Sequence, residues 1–239
     1  MTGQEKIPRW LRPAWYGLLA AAAWMLAEGM RDDFNFFPAM EAWSMMLGYM
    51  GFCLIACTLV IGPVKQWLPA RWTVYLLALR RDIGIMGGLA AILHVILVVI
   101  LFEGEPQLFF AGSQEMMAGW LGLFFWDTPD GGLEPNMSMV GIANYMGAIA
   151  ILGLLALFAT SSDRAERFLG GGTWKRLHMY NPALFLLVTF HGLIYVQLIK
   201  GEPHTYRDIL WMTAAVLLIR IAAYTTTVIK RTLQQRSPD

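Results

Sequence analysis

Six long apolar stretches restrict what this chain can fold into more than any other feature. They run from about Pro13 to Met30, Met40 to Val64, Arg81 to Phe102, Met137 to Thr160, Leu177 to Ile199 and Ile209 to Ile229. A membrane-spanning helix needs about 20 predominantly apolar residues, and each stretch meets or approaches that length. In hydrocarbon every backbone N–H and C=O must be satisfied within the chain, so only helices or a closed barrel qualify. Apolar–polar alternation over segments of about ten residues, the mark of a barrel, is missing. The expectation is an all-α integral membrane protein, a six-transmembrane-helix bundle forming one domain over residues 1–239. Composition agrees, with 57% hydrophobic and 15% charged residues; a soluble domain carries about 25% charge. The net charge of +1 gives no overall basic field for nucleic acid. Cys53 and Cys57 are too few for a disulfide framework, a four-cysteine metal site or a cysteine-ligated iron–sulfur cluster. They are expected as small packing residues.

The charges flanking the stretches set the expected topology. Lys6, Arg9 and Arg12 precede the first; Lys65, Arg71, Arg80 and Arg81 separate the second and third. Arg164, Arg167, Lys175 and Arg176 separate the fourth and fifth; Lys230, Arg231 and Arg236 follow the sixth. The opposite side has Arg31, Lys200 and Arg207, and its long loop, residues 103–136, carries six carboxylates and no lysine or arginine. The positive-inside rule then places both termini in the cytoplasm. The basic N-terminus resembles a signal peptide, but Glu28, Arg31, Asp32 and Asp33 follow the first stretch instead of a small-residue cleavage site, so a retained helix is expected. Gly170-Gly171-Gly172 has neither the strand nor the spacing of a dinucleotide-binding loop, and is expected to be a loop leading into the fifth helix.

The histidines carry the chemistry. His94 lies well inside the third stretch and His191 well inside the fifth. An imidazole facing hydrocarbon is costly without a partner, so ionisable residues at this depth are functional candidates. His94 follows Arg81 by 13 residues and His191 follows Arg176 by 15. At 1.5 Å per residue both lie about 20 Å from the basic end, on parallel helices. Two imidazoles at one depth can clamp the two axial positions of a heme iron. Zinc fits less well, because it takes four ligands and no cysteine or carboxylate shares that depth. His178 lies near the basic end, 13 residues before His191, while Arg80 lies 14 before His94. Fourteen helical steps return to the same face and thirteen miss it by about 140°, unless a kink at Pro182 intervenes. His178 is thus a candidate ligand of a second heme, facing Arg80, which is either an interfacial anchor or a partner for a heme propionate. His204 is expected to be solvated.

With these residues in place, the sequence resembles the ferric-reductase-like transmembrane family and, within it, the heme-binding membrane subunit of the methionine sulfoxide reductase system (MsrQ-like). The resemblance rests on Arg80-Arg81-Asp82-Ile83-Gly84-Ile85 leading to Leu93-His94, on Leu157-Phe158-Ala159-Thr160-Ser161-Ser162, on Trp174-Lys175-Arg176-Leu177-His178, and on His191 at the family's spacing. Leu198-Ile199-Lys200-Gly201 is a weaker echo. The similarity runs from about Ile61 to Ala222, the heme-carrying core of about residues 61–222. It implies heme b, one or two copies, with His94, His191 and His178 as iron ligands and Arg80 beside the inner heme. The long acidic loop and Glu134-Pro135-Asn136-Met137-Ser138 before the fourth helix depart from the family pattern.

The expected function is a cytochrome b-type electron-transfer subunit of the bacterial inner membrane, not a complete enzyme. It has no room for a flavin and nicotinamide domain, so a separate donor is required: a flavin reductase, bound FMN, or a quinol. By resemblance the acceptor is a periplasmic redox partner such as a molybdenum-containing methionine sulfoxide reductase. The rival is a heme-free or heme-vestigial membrane subunit docking to a larger complex, motivated by the aromatic segment Met116–Trp126. A transporter fits poorly, as no charged pair lies mid-membrane and no inverted repeat is visible.

Overall fold

The computed structural model describes residues 11–29, 37–104, 120–128, 130–201 and 203–236. Its helices are α1 (Leu11–Gly29), α2 (Ala39–Val64), α3 (Ala70–Gly104), α4 (Met139–Ala159), α5 (Asp163–Leu169), α6 (Gly171–His178), α7 (Asn181–Ile194) and α8 (Pro203–Arg236). A 3-10 turn, Lys65–Trp67, joins α2 to α3. A second, Trp120–Leu123, leads into a hairpin of β1 (Phe125–Asp127) and antiparallel β2 (Leu133–Pro135), with Trp126 opposite Glu134. A π-helical turn, Tyr195–Lys200, continues α7.

Five helical segments are long and apolar enough to cross a membrane: Ala39–Trp67, Trp72–Glu103, Met139–Ala159, Gly171–Ile199 and Thr205–Gln235. The chain is a multi-pass membrane protein. The expected first span is a helix, α1, but it is not among these five. Arg12, Pro13, Glu28 and its aromatic residues dilute the apolar run. Tyr16 ties α1 to the basic end of the bundle, its hydroxyl donating to Asp82 Oδ1 at 3.4 Å.

Small residues let the helices approach closely. A Cβ on Gly51 would stand 3.5 Å from the Gly87 carbonyl and the Ala91 nitrogen, so the α2 and α3 backbones nearly touch. Gly88 of α3 receives Phe158 of α4, and Gly153 of α4 receives Leu184 of α7. The core joins Phe52, Ile55 and Leu59 of α2, Leu154 and Leu157 of α4, Leu184 and Phe185 of α7, and Ile209 and Val216 of α8. Phe52 and Phe185 stack at 5.1 Å between ring centroids. Large apolar side chains such as Trp24, Leu152, Trp211 and Leu218 face outward, as suits a lipid solvent in which outward apolar groups carry no penalty.

Two details depart from the sequence expectation. Gly170, with φ +75°, is the joint between α5 and α6, and Gly171 and Gly172 already belong to α6 rather than to a loop. The fifth stretch is also broken at Met179–Tyr180, with Pro182 in the first turn of α7. Its missing N–H has no helical partner to lose there, so the proline starts a helix instead of kinking one.

The hairpin is fastened to the bundle by side chains that donate to main-chain carbonyls. Asn144 Nδ2 donates to the Leu123 carbonyl at 2.8 Å, and the Tyr145 hydroxyl donates to that of Phe124. The Tyr195 hydroxyl donates to Asn144 Oδ1. Asn136 Oδ1 accepts from Ser138 N at 3.1 Å, and the Ser138 hydroxyl caps α4 on Gly141 N at 3.2 Å. Of the long loop, residues 105–119 and 129 lie outside the described residues, which include Met116–Gly119 of the aromatic segment.

Candidate functional site

The structure brings His94 of α3 and His191 of α7 together. Their ring centroids are 6.4 Å apart and the ring planes stand at 74°. Both rings line one cavity of about 440 Å³ between α2, α3, α4, α7 and α8. Its walls are mainly apolar, including Phe52, Ile55, Val95, Ile151, Leu154 and Val188. Trp120, Leu123 and Phe124 line it from the hairpin side.

Each imidazole is held by the same kind of bond. His94 Nδ1 is 2.7 Å from the Ser44 carbonyl oxygen and 3.1 Å from Ser44 Oγ. His191 Nδ1 is 2.8 Å from the Ala143 carbonyl oxygen. A carbonyl only accepts, so Nδ1 carries the proton on both rings and Nε2 keeps its lone pair. This is the arrangement by which an outer hydrogen bond orients a histidine for metal ligation. Tyr195, one turn beyond His191, packs against it at 5.0 Å between centroids.

The spacing can be tested against a shared metal ion. With imidazole–metal bonds of about 2.0–2.1 Å and roughly 1.1–1.2 Å from nitrogen to ring centre, two opposed rings on one ion stand about 6.4 Å apart. The observed centroid separation equals that value. Among the described residues no group of three or more His, Cys, Asp or Glu side chains gathers as a metal site. Two imidazoles at this separation in a mainly apolar cavity fit a metal that would bring its remaining ligands with it, as iron in a porphyrin would.

The other candidates sit at the basic end and do not join this cavity. His178 Nε2 lies 3.2 Å from Thr160 Oγ1, whose own hydrogen goes to the Ala156 carbonyl at 2.7 Å. His178 Nε2 is thus a donor. Trp174 stacks on the ring at 4.2 Å and donates from Nε1 to the Thr160 carbonyl at 2.8 Å. Arg80 donates from Nε to the Thr58 carbonyl at 2.9 Å. Neither His178 nor Arg80 lines the cavity shared by His94 and His191. His204 falls at the start of α8, and its side chain lies outside the described residues.

The sequence reading did not anticipate Ser44, Gly48, Ala143, Asn144, Gly147 or Tyr195. A signal was present for four of them: Ser44-x-x-x-Gly48 and Ala143-x-x-x-Gly147 are the small-x-x-x-small spacing of closely packed membrane helices.

Fold and site together define a multi-pass membrane protein with paired imidazoles in a buried apolar cavity. The family model of the ferric reductase like transmembrane component matches residues 47–189. The chain belongs to that family. The matched segment contains Arg80, His94 and His178 and ends two residues before His191. No curated protein matches the chain significantly.

Proposed function

We propose that the chain is the membrane electron-transfer subunit of an oxidoreductase system and holds heme b between His94 and His191. One observation carries this: two imidazoles 6.4 Å apart in a single cavity, each with Nδ1 committed to a main-chain carbonyl. When bound there, heme would supply reversible one-electron chemistry. The protein's part is to present two neutral Nε2 atoms and exclude water with the apolar walls; His94 and His191 would hold the iron. With both histidines as ligands, such a heme would favour electron transfer over oxygen binding.

The finer reading is MsrQ-like. The subunit resides in a bacterial inner membrane with α1 as a sixth span beside the five of higher hydropathy and both termini cytoplasmic, takes electrons from a flavin reductase, bound FMN or a quinol, and delivers them to a periplasmic partner. A molybdenum-containing methionine sulfoxide reductase is the proposed acceptor. The family membership and the basic residues gathered at one end support this orientation. A second heme on His178, with Arg80 beside it, requires His178 Nε2 to give up Thr160.

A dithionite-reduced minus oxidised spectrum, with pyridine hemochrome to count heme per chain, tests the proposal. Low-spin b-type bands at one heme per chain support the paired site, and two would bring in His178. A folded protein that takes up no heme refutes it and leaves the docking subunit.

A further inference from the structure

The two histidines share more than an acceptor type. Ser44, whose carbonyl receives His94, precedes Gly48 by four residues, and Ala143, whose carbonyl receives His191, precedes Gly147 by four. A side chain on a helix leans toward the N-terminus and lies over the preceding turn. A side chain at 48 or 147 would therefore cover the carbonyl at 44 or 143. A Cβ built on Gly48 would meet His94 Nδ1 at 3.1 Å and Cε1 at 3.2 Å. On Gly147 it would meet His191 Nδ1 at 2.9 Å and Cε1 at 3.0 Å. Each carbonyl already accepts from its own helix, but its second lone pair is free for an imidazole once the glycine uncovers it.

We infer that Gly48 and Gly147 are positioning residues of the paired-histidine site, each baring one main-chain carbonyl that fixes its histidine as the Nδ1–H tautomer and sets the angle between the rings. The device occurs twice, on two helix pairs, α2 with α3 and α4 with α7. Its consequences for heme rest on the proposed function; its consequence for the tautomer does not. The closer approach is at Gly147, so alanine there displaces its ring further than alanine at Gly48.

The test uses the full-length protein in detergent, as Gly48→Ala, Gly147→Ala and a control, Gly84→Ala, whose Cβ would meet only Thr58 Cγ2 at an ordinary 3.6 Å. Nitrogen-15 NMR of labelled histidines in heme-free protein reads the tautomer directly. Heme titration and low-spin ferric EPR read the loaded site. The wild type and the control should show Nδ1–H at positions 94 and 191. Each alanine variant should lose that tautomer at its own histidine, with heme affinity down about 10–100-fold, the scale for losing an outer hydrogen bond to a metal ligand. Gly147→Ala should be affected more. Should Gly147→Ala misfold, Gly48→Ala carries the same test at its milder contact. A folded variant that keeps the wild-type tautomer overturns the inference. A wild type that binds no heme but loses the tautomer in the variants sinks the proposed function and leaves this inference standing.

Discussion

Asn144 is the most informative residue to remove, because one side chain holds two partners at the cavity's cover. Its Nδ2 donates to the Leu123 carbonyl and its Oδ1 accepts from the Tyr195 hydroxyl, and it is itself buried. Asn144→Ala strands both groups in a region built from buried Leu123 and Ala143. A buried polar group left open costs about 1–3 kcal/mol, but membrane-protein hydrogen bonds measured by double-mutant cycles average about 0.6 and reach about 1.7 kcal/mol. Taking roughly 1 kcal/mol for each stranded group, the expected loss is about 2 kcal/mol. Tyr145→Phe makes the internal comparison. It removes one donor from the Phe124 carbonyl, which still accepts from Asn136 N at 2.8 Å. Its loss should be about 0.5–1 kcal/mol. Reversible unfolding in mixed micelles gives both values. Hydrogen exchange over residues 120–135 reports whether the hairpin has loosened. In the Asn144→Ala background, Tyr195→Phe should regain about 1 kcal/mol, because it removes the hydroxyl that the first substitution stranded. An Asn144→Ala protein within about 0.5 kcal/mol of wild type, with a protected hairpin, would refute this account of how the cavity is covered.

Three further predictions follow from the same geometry. His94→Ala and His191→Ala should each abolish the same heme, and the double variant should lose no more than either single one; additive losses in hemochrome counts would mean two separate sites. His178→Ala should leave that heme's spectrum and content unchanged, since Thr160 and Trp174 hold the ring away from the cavity; loss of all heme in a folded variant would show the ligands were wrongly paired. Gly153→Ala should destabilise the α4–α7 packing by about 1–3 kcal/mol through overpacking on Leu184, and Leu184→Ala should recover part of that loss in thermal unfolding.

The spans of α2, α3, α4, α7 and α8 were legible because lipid demands unbroken apolar length, and that demand is written directly into residue type. The same criterion explains why α1 is ambiguous: its length is sufficient while Arg12, Pro13 and Glu28 weaken its apolar character. The pairing of His94 with His191 follows from rise per residue alone, since both are counted from a basic end. Other features were invisible for identifiable reasons. The break at Met179–Tyr180 depends on which side of it Pro182 falls, a matter of one or two residues. Helix α5 and the short hairpin have too few residues to show a period. The carbonyls that orient the imidazoles belong to the backbone, so no side chain announces them. Only the glycines that expose them leave a trace in the sequence.

That last property bears on how the chain can drift. At the two histidines and at two of the hairpin's tethers, the acceptor is a main-chain oxygen: Ser44, Ala143, Leu123 and Phe124. Every residue type supplies such an oxygen, so the bond itself asks for no particular side chain at these four positions, and only packing limits the choice, most tightly at fully buried Ala143. The donors His94, His191, Asn144 and Tyr145 have no such freedom, and neither do the glycines. Descendants of one ancestor would then share a few scattered letters in otherwise interchangeable apolar helices. A motif search weighted toward contiguous matches would pass over kin that retain the whole arrangement.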